Sequence, residues 1–376
     1  MLERIEKALQ ALDRRGRRRA LSPACGLDFS SNDYLALAGD TALRQAVADA
    51  LDAGCPIGAG ASRLLRGNHP LHAALEARAA AFFGSEAALF LGGGYLANLA
   101  LWSTLPGRDD LVVYDEFSHA STLEGIRAGR ARAVPAVHNA AETFENQIIA
   151  WRANGGRGCP WIAVESLYSM DGDRAPLDDL AAIADRHDGC LVVDEAHATG
   201  VYGERGRGLA AHLEGRSNIV TVHTCGKALG AMGALISGPQ SVIDFLVNRA
   251  RPFIYATAPS PLMAAAVDRA LTILEGEPDR RERLQAIVEL ANTKLEASCG
   301  RAGSGSQIIP VVVGQDRVAT DIAGDLQAAG FDVRAIRPPT VPEGTARLRI
   351  SLTLNVTVGQ TTDMLAALAH ALEKRR

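Results

Sequence analysis

The sequence predicts an α/β protein built on a doubly wound, mostly parallel sheet, with a smaller α+β domain at the C-terminal end. Three observations point there. Short apolar runs, among them AALFL (87–91), LVVY (111–114), WIAVE (161–165), LVVD (191–194) and VTVHT (220–224), read as buried strands. Helical segments separate them, and strand–helix–strand alternation is how parallel strands are joined. The 376 residues suffice for a large core and a second lobe. The expected division is an N-terminal helix and arm over 1–37, a large sheet domain over 38–262, and the α+β domain over 263–376.

In chain order, residues 1–20 read as an amphipathic helix with Leu2, Ile5, Leu9 and Leu12 on one face. The run Arg14, Arg15, Arg17, Arg18, Arg19 is either a solvated face or a grip for a carboxylate or phosphate. FSSNDYLAL gives a short strand and a turn at Asn32-Asp33. Residues 55–69 form a glycine-rich loop without the third glycine of a dinucleotide fingerprint, because position 63 is arginine. A helix over 70–83 follows. Then AALFL runs into Gly92-Gly93-Gly94 and a helix starting near Tyr95, which leaves bare backbone N–H groups as a phosphate seat. The same stretch also matches GxGxxA, with Asp115-Glu116 about twenty residues on, as in a nicotinamide-dependent oxidoreductase. Against that reading, a large segment precedes this strand, and Asp194 and Lys227 are left without a task.

His119 and Ser121 lie just past the strand that ends at Tyr114, and Ser169, Met170 and Asp171 lie at the rim beyond Glu165. A helix over 176–186 leads to the central strand. After Lys227, ALISG is a strand, Pro252, Pro259 and Pro261 break regular structure, and a helix over 261–274 carries the chain onward. The second lobe reads as helix 283–298, strand 307–313, helix 318–329, strand 331–336, a proline turn, strand 347–352 and a final helix. Arg347 and Arg349 share one face of their strand, either as surface ion pairs or as a carboxylate grip.

Bulk properties exclude several classes. A net charge of −4 gives no overall basic field for nucleic acid. Six scattered cysteines without a CxxC pair argue against a zinc site or a disulfide frame and for a reducing compartment. The basic N-terminus has no apolar core behind it, and no run reaches the length of a membrane span. The cytoplasm is the expected location.

The chemistry gathers between Leu191 and Gly230. Of 39 Lys+Arg residues only Lys7, Lys227, Lys294 and Lys374 are lysine, and Lys227 alone sits among small apolar neighbours. Such surroundings disfavour the ammonium and favour a nucleophilic amine. Asp194 ends one strand and Lys227 follows the next, where ligands bind in open parallel sheets. Pyridoxal 5'-phosphate needs an amine for its aldehyde, a carboxylate for its ring nitrogen, and N–H and hydroxyl donors for its phosphate. Lys227, Asp194, Gly94 and Thr224 meet those needs, His119 suits a ring face, and His197 and Ser169 suit the ring hydroxyl oxygen.

These residues lie in motifs that resemble the α-oxoamine synthases: SNDYL, GGGYLAN, SHAS, ESLYSMDGD, DEAHATG, TCGKALG and IRPPTVPEGTARLRISL, in the family's order over nearly the whole chain. The resemblance implies the aspartate-aminotransferase-like fold (fold type I of pyridoxal-phosphate enzymes) and an acyltransferase. It gives Lys227 the covalent bond to the cofactor, Asp194 the ring nitrogen, and His119 the ring face and the substrate. His197 and Ser169 then hold the ring oxygen, while Gly94, Tyr95 and Thr224 serve the cofactor and its phosphate. Thr257 is implied to reach the phosphate in a neighbouring subunit, hence a homodimer with shared sites. Arg349 is implied to hold the amino-acid carboxylate, with Asn32, Thr340 and Arg17 lining the substrate path. The segment from Ile336 to Leu352 is most similar to the member that joins L-alanine to a pimeloyl thioester. The rival members, 2-amino-3-ketobutyrate ligase and 5-aminolevulinate synthase, use glycine. One departure is His138-Asn139-Ala140, where the family usually has His-Asn-Asp.

Overall fold

The computed structural model describes residues 1–21 and 23–375. Its strands are β1 (Leu27–Asp28), β2 (Ala87–Leu91), β3 (Leu111–Asp115), β4 (Arg132–Ala136), β5 (Pro160–Glu165), β6 (Cys190–Asp194), β7 (Ile219–Thr224), β8 (Ala234–Gly238), β9 (Ile308–Gly314), β10 (Phe331–Asp332), β11 (Arg334–Ile336) and β12 (Ala346–Ser351). The chain divides into two compact units. The larger holds Leu35–Ser169 and Arg174–Arg281, and the smaller holds Met1–Tyr34, Met170–Asp173 and Glu282–Arg376. The helix Pro261–Gly276 thus clusters with the sheet unit, where the sequence had suggested a second domain from residue 263.

The larger unit is organised by a seven-stranded sheet in the order β2-β8-β7-β6-β5-β3-β4. Strands β3 to β7 run parallel to one another, while β8 is antiparallel to both β7 and β2. Two reversals bring the carboxyl end of β2 back to the edge where β6 and β7 end. Successive side chains face opposite sides of a strand. Val112, Ala163, Val192 and Val222 pack on one face with Trp102, Ile126 and Phe253. Val113, Ile162, Val164, Leu191 and Val193 pack on the other with Phe144, Leu180 and Ile183. A sheet buried on both faces explains why these strands are apolar throughout rather than alternating. Each fully buried Val, Leu or Ile contributes about 1.5–3 kcal/mol.

The smaller unit contains an antiparallel sheet, β11-β12-β9, and a parallel pair, β1-β10. The helices Asp316–Ala328 and Val358–Glu373 supply Ile322, Leu326, Met364 and Leu368 to its core beside Ile309, Leu348 and Ile350. Thr357 and Gln360 form a capping box that fixes the start of the last helix. Where one strand was expected over 331–336 there are two, because Phe331-Asp332 pair with β1 and Arg334–Ile336 pair with β12. Among the described residues FSSNDYLAL, expected to open on a strand, holds no named strand, though the Phe29 N–H donates to the Asp332 carbonyl at 3.3 Å and the Phe29 carbonyl accepts the Ser351 N–H at 2.9 Å. The Asp28 carboxylate accepts the N–H groups of Ser30 and Ser31 at 3.1 and 2.8 Å and turns the backbone out of the ladder. The first helix, Leu2–Arg14, is amphipathic as expected, yet Leu2, Ile5, Leu9 and Leu12 are exposed.

Candidate active site

A cavity of about 380 Å³ opens in the larger unit at the carboxyl ends of the strands. Gly94, Tyr95, His119, Asp194, His197, Thr224 and Lys227 all line it, so the structure brings together most of the cofactor residues expected from the sequence. Lys227 is half-buried in a turn closed by the Gly230 N–H donating to the Lys227 carbonyl at 2.9 Å. Gly230 has φ +63°, and a Cβ there would fall 2.3 Å from the Leu37 carbonyl carbon. Only glycine fits both constraints, which is why the small-residue turn after β7 holds its shape.

The helix Gly94–Trp102 starts at the carboxyl end of β2 with no side-chain cap. Its first N–H groups are therefore left for a ligand. A Cβ at Gly94 would approach Thr224 Cγ2 to 2.5 Å, so glycine lets the helix start close against the tip of β7. Thr224 is buried, and its hydroxyl donates to the Ala196 carbonyl at 3.3 Å.

Asp194 is nearly enclosed and is held at both oxygens. Asn98 Nδ2 donates to Oδ2 at 2.7 Å and the Ala196 N–H donates to Oδ1 at 2.9 Å. Asn98 Nδ2 also donates to Ser121 Oγ at 3.0 Å, and Ser121 Oγ lies 2.7 Å from His119 Nδ1. The Ser121 N–H donates to the same Nδ1 at 3.2 Å. With Nδ1 accepting, a neutral His119 carries its proton on Nε2. Enclosure by the cavity wall, against the pull of Asp194 and with the help of Lys227, holds His119 below the ordinary histidine pKa. Sequence reading gave Asn98 no role, although an asparagine in an otherwise apolar helix, four residues after Gly94, is the signal that marks it.

Two expected residues lie outside the cavity lining. Ser169 is buried, and its N–H donates to Glu165 Oε2 at 3.1 Å. Thr257 is exposed. The nicotinamide reading meets two obstacles: β2 pairs only with β8, antiparallel, and Asp115 is already committed. Its carboxylate contacts His138 Nδ1 at 2.9 Å and accepts the N–H groups of Phe117 and Asn139. Burial pushes the Asp115 carboxyl up, but those hydrogen bonds prevail and hold it below its ordinary pKa.

A family model, aminotransferase class I and II, matches residues 25–368. An 8-amino-7-oxononanoate synthase of Anaeromyxobacter dehalogenans is 43% identical, covering 99% of this chain and 96% of its own. One of Chromobacterium violaceum is 41% identical over 92% of this chain and 89% of its own. The chain belongs to the 8-amino-7-oxononanoate synthase family. Among solved structures, serine palmitoyltransferase of Sphingomonas wittichii has a TM-score of 0.89 at 28% identity, covering 98% of this chain and 96% of that one. The 8-amino-7-oxononanoate synthase of Francisella tularensis has a TM-score of 0.79 at 28% identity, covering 93% and 98%. The fold is that of fold-type-I pyridoxal-phosphate enzymes, the cofactor is pyridoxal 5'-phosphate, and the protein is a transferase of biotin biosynthesis.

The cavity of this synthase-family chain fits that cofactor. Its lining includes a lysine, an aspartate and a threonine, and the uncapped start of a helix at Gly94 packs close to that threonine. Apart from His119, the residues expected for the substrate lie in the smaller unit. Arg349 is buried and donates to Ser351 Oγ at 2.7 Å and Asn32 Oδ1 at 3.0 Å. Arg347 is engaged elsewhere, by the Asp171 carboxylate and the Thr345 carbonyl. Arg17 is held by Asp316 at 2.6 Å and by both oxygens of Glu343 at 2.8 and 2.6 Å. Glu343 and then Asp316 keep its guanidinium pKa above the ordinary value. Arg19, not Arg17, reaches Thr340, with NH2 donating to its hydroxyl at 3.0 Å.

Proposed function

We propose that the protein condenses L-alanine with a pimeloyl thioester, on coenzyme A or a carrier protein, to give 8-amino-7-oxononanoate, carbon dioxide and the free thiol carrier. A carbon–carbon bond forms between the alanine α-carbon and the thioester carbonyl. The carbon–sulfur bond breaks, and the alanine carboxylate leaves as carbon dioxide. When bound, pyridoxal 5'-phosphate supplies an aldehyde that takes up amines and a protonated ring that accepts carbanion electrons. Lys227 Nζ would hold the cofactor covalently, and as a free amine it would take the α-proton of alanine. Asp194, fixed by Asn98 and Ala196, would keep the ring nitrogen protonated. His119 would cover one ring face, and His197 would orient the ring oxygen, joined by Ser169 if it turns in from outside the present lining. The N–H groups at Gly94 and Tyr95 and the hydroxyl of Thr224 take the phosphate.

The observation that carries the reading is that Lys227, Asp194 and the uncapped helix at Gly94 line one cavity. Arg349 with Asn32 suits the amino-acid carboxylate, because Arg349 is buried and already oriented. A groove of about 610 Å³ in the smaller unit combines Leu9, Leu12 and Val341 with Arg17 and Arg19. Apolar walls with guanidinium groups suit an aliphatic chain that ends in a carboxylate, so Arg17 and Thr340 are assigned to the acyl donor. The exposed position of Thr257 supports its reaching the phosphate of a second copy, and hence a homodimer with shared sites. Among the described residues no helix is long and apolar enough to cross a membrane, in keeping with a cytoplasmic enzyme.

Product identification after mixing the holoenzyme with L-alanine and pimeloyl-CoA tests the reading. Formation of 8-amino-7-oxononanoate with one free thiol per product is expected. Faster thiol release with glycine and acetyl- or succinyl-CoA would transfer the protein to a glycine-using activity.

A further inference from the structure

Glu165 is an enclosed acid that the reaction above leaves without a task. It ends β5 in direct register with Asp194 at the end of β6, so two carboxyl groups leave adjacent strand tips on the same face. Glu165 lines the cavity yet is only 3% exposed. Its Oε2 accepts the N–H of Ser169 at 3.1 Å, the His119 backbone N–H also favours the charged carboxylate, and Oε1 is buried without a hydrogen-bond partner of ordinary geometry. Asp194 differs in having a donor at each oxygen. Burial, and then the charge of Asp194, push the Glu165 carboxyl up to about 8, against the opposing pull of Lys227. A bare carboxylate oxygen in such a place is strongly disfavoured, whereas a protonated one carries its own donor.

We propose that Glu165 is a positioning residue that works as a neutral acid, fixing the Ser169 backbone through Oε2 and keeping an uncharged, enclosed O–H at Oε1 in the cavity wall beside Asp194. Adjacent acids in unlike surroundings then divide the work, with Asp194 supplying charge and Glu165 supplying a proton donor. The groups that face Glu165 are Asp194, Lys227 and the backbone at His119 and Ser169. The cavity's occupant rests on the function proposed above, but the protonation state of Glu165 does not.

The first test is thermal unfolding of the cofactor-free protein and its Glu165→Gln variant across pH. The folded value lies above the ordinary 4.5, so wild type is fully stabilised below that value and loses stability as pH rises toward about 8. Glutamine keeps the acceptor and the donor and does not titrate. The variant's Tm relative to wild type is expected to climb by several degrees between about pH 5 and pH 8. A difference that stays flat across that range overturns the proposal. The second test is pyridoxal-phosphate affinity near neutral pH. Glu165→Gln should stay within about threefold of wild type and Glu165→Ala should weaken binding about tenfold. Equal losses in both variants would refute the neutral-acid role. Should the glutamine variant not fold, infrared spectra of Glu195→Gln, which lacks the other buried acid raised to about 7, decide the matter. A protonated-carboxyl band present near neutral pH and lost above about pH 9 supports the proposal, and its absence at neutral pH contradicts it.

Discussion

In the larger unit the reactive groups stand on strand tips whose order is set by the sheet register, so Asp194, Thr224 and Lys227 meet in one cavity. In the smaller unit Arg17 and Thr340 stand on exposed or half-exposed segments outside any named strand, and side-chain contacts rather than a ladder hold them: ion pairs for Arg17 and a hydrogen bond from Arg19 for Thr340. Arg349 lies between these cases, a strand residue fixed by Ser351 and Asn32. A side chain held by a registered sheet is already oriented for chemistry. One held by carboxylates can exchange them for a substrate and so suits binding.

That contrast predicts a gradient of mutational effects. Lys227→Ala would remove the proposed covalent group and proton acceptor together, so turnover should fall by at least about 10³-fold in steady-state assays. Asp194→Ala leaves Asn98 and the bound ring without their charge partner, an expected loss of about 3–5 kcal/mol. Equilibrium dialysis with pyridoxal phosphate measures it, and near-normal affinity would break the contrast at its strongest point. Arg349→Lys loses a planar, oriented donor, and KM for alanine should rise about tenfold with a smaller change for the acyl donor. Arg17→Ala should raise KM for the pimeloyl thioester several-fold, while Lys227 remains fully reducible by borohydride. A larger effect from Arg19→Ala would move that role to the arginine that touches Thr340. The smallest change is Ala140→Asp. Ala140 is the N-cap of the helix Ala141–Ala153 and gives it no side-chain cap, so aspartate should add about 1 kcal/mol, read as a Tm increase of a few degrees.

The same contrast explains what the sequence made legible. Lys227 is one of four lysines and Asp194 ends an apolar run, so both stand out without any knowledge of pairing. The parallel alternation follows from strands that are apolar on both faces. Glu165 does not stand out, because its importance comes from Asp194, 29 residues away, which only register brings close, and Asn98 carries just the weak mark of a polar residue in an apolar helix until the fold sets it against Asp194, 96 residues on. The motif DEAH illustrates the limit. Asp194 and His197 line the cavity, while Glu195 is buried where it accepts the N–H groups of Leu209 and Ala210. Choosing among Arg17, Arg18 and Arg19 likewise required Asp316, Glu343 and Thr340, which lie more than 290 residues away in sequence.

Reduction of the holoenzyme with borohydride, followed by peptide mapping, tests the central claim most directly. The account predicts one pyridoxyl group per chain, on Lys227, with incorporation falling sharply in Asp194→Ala. A label on Lys7, Lys294 or Lys374, or none on Lys227, would contradict it.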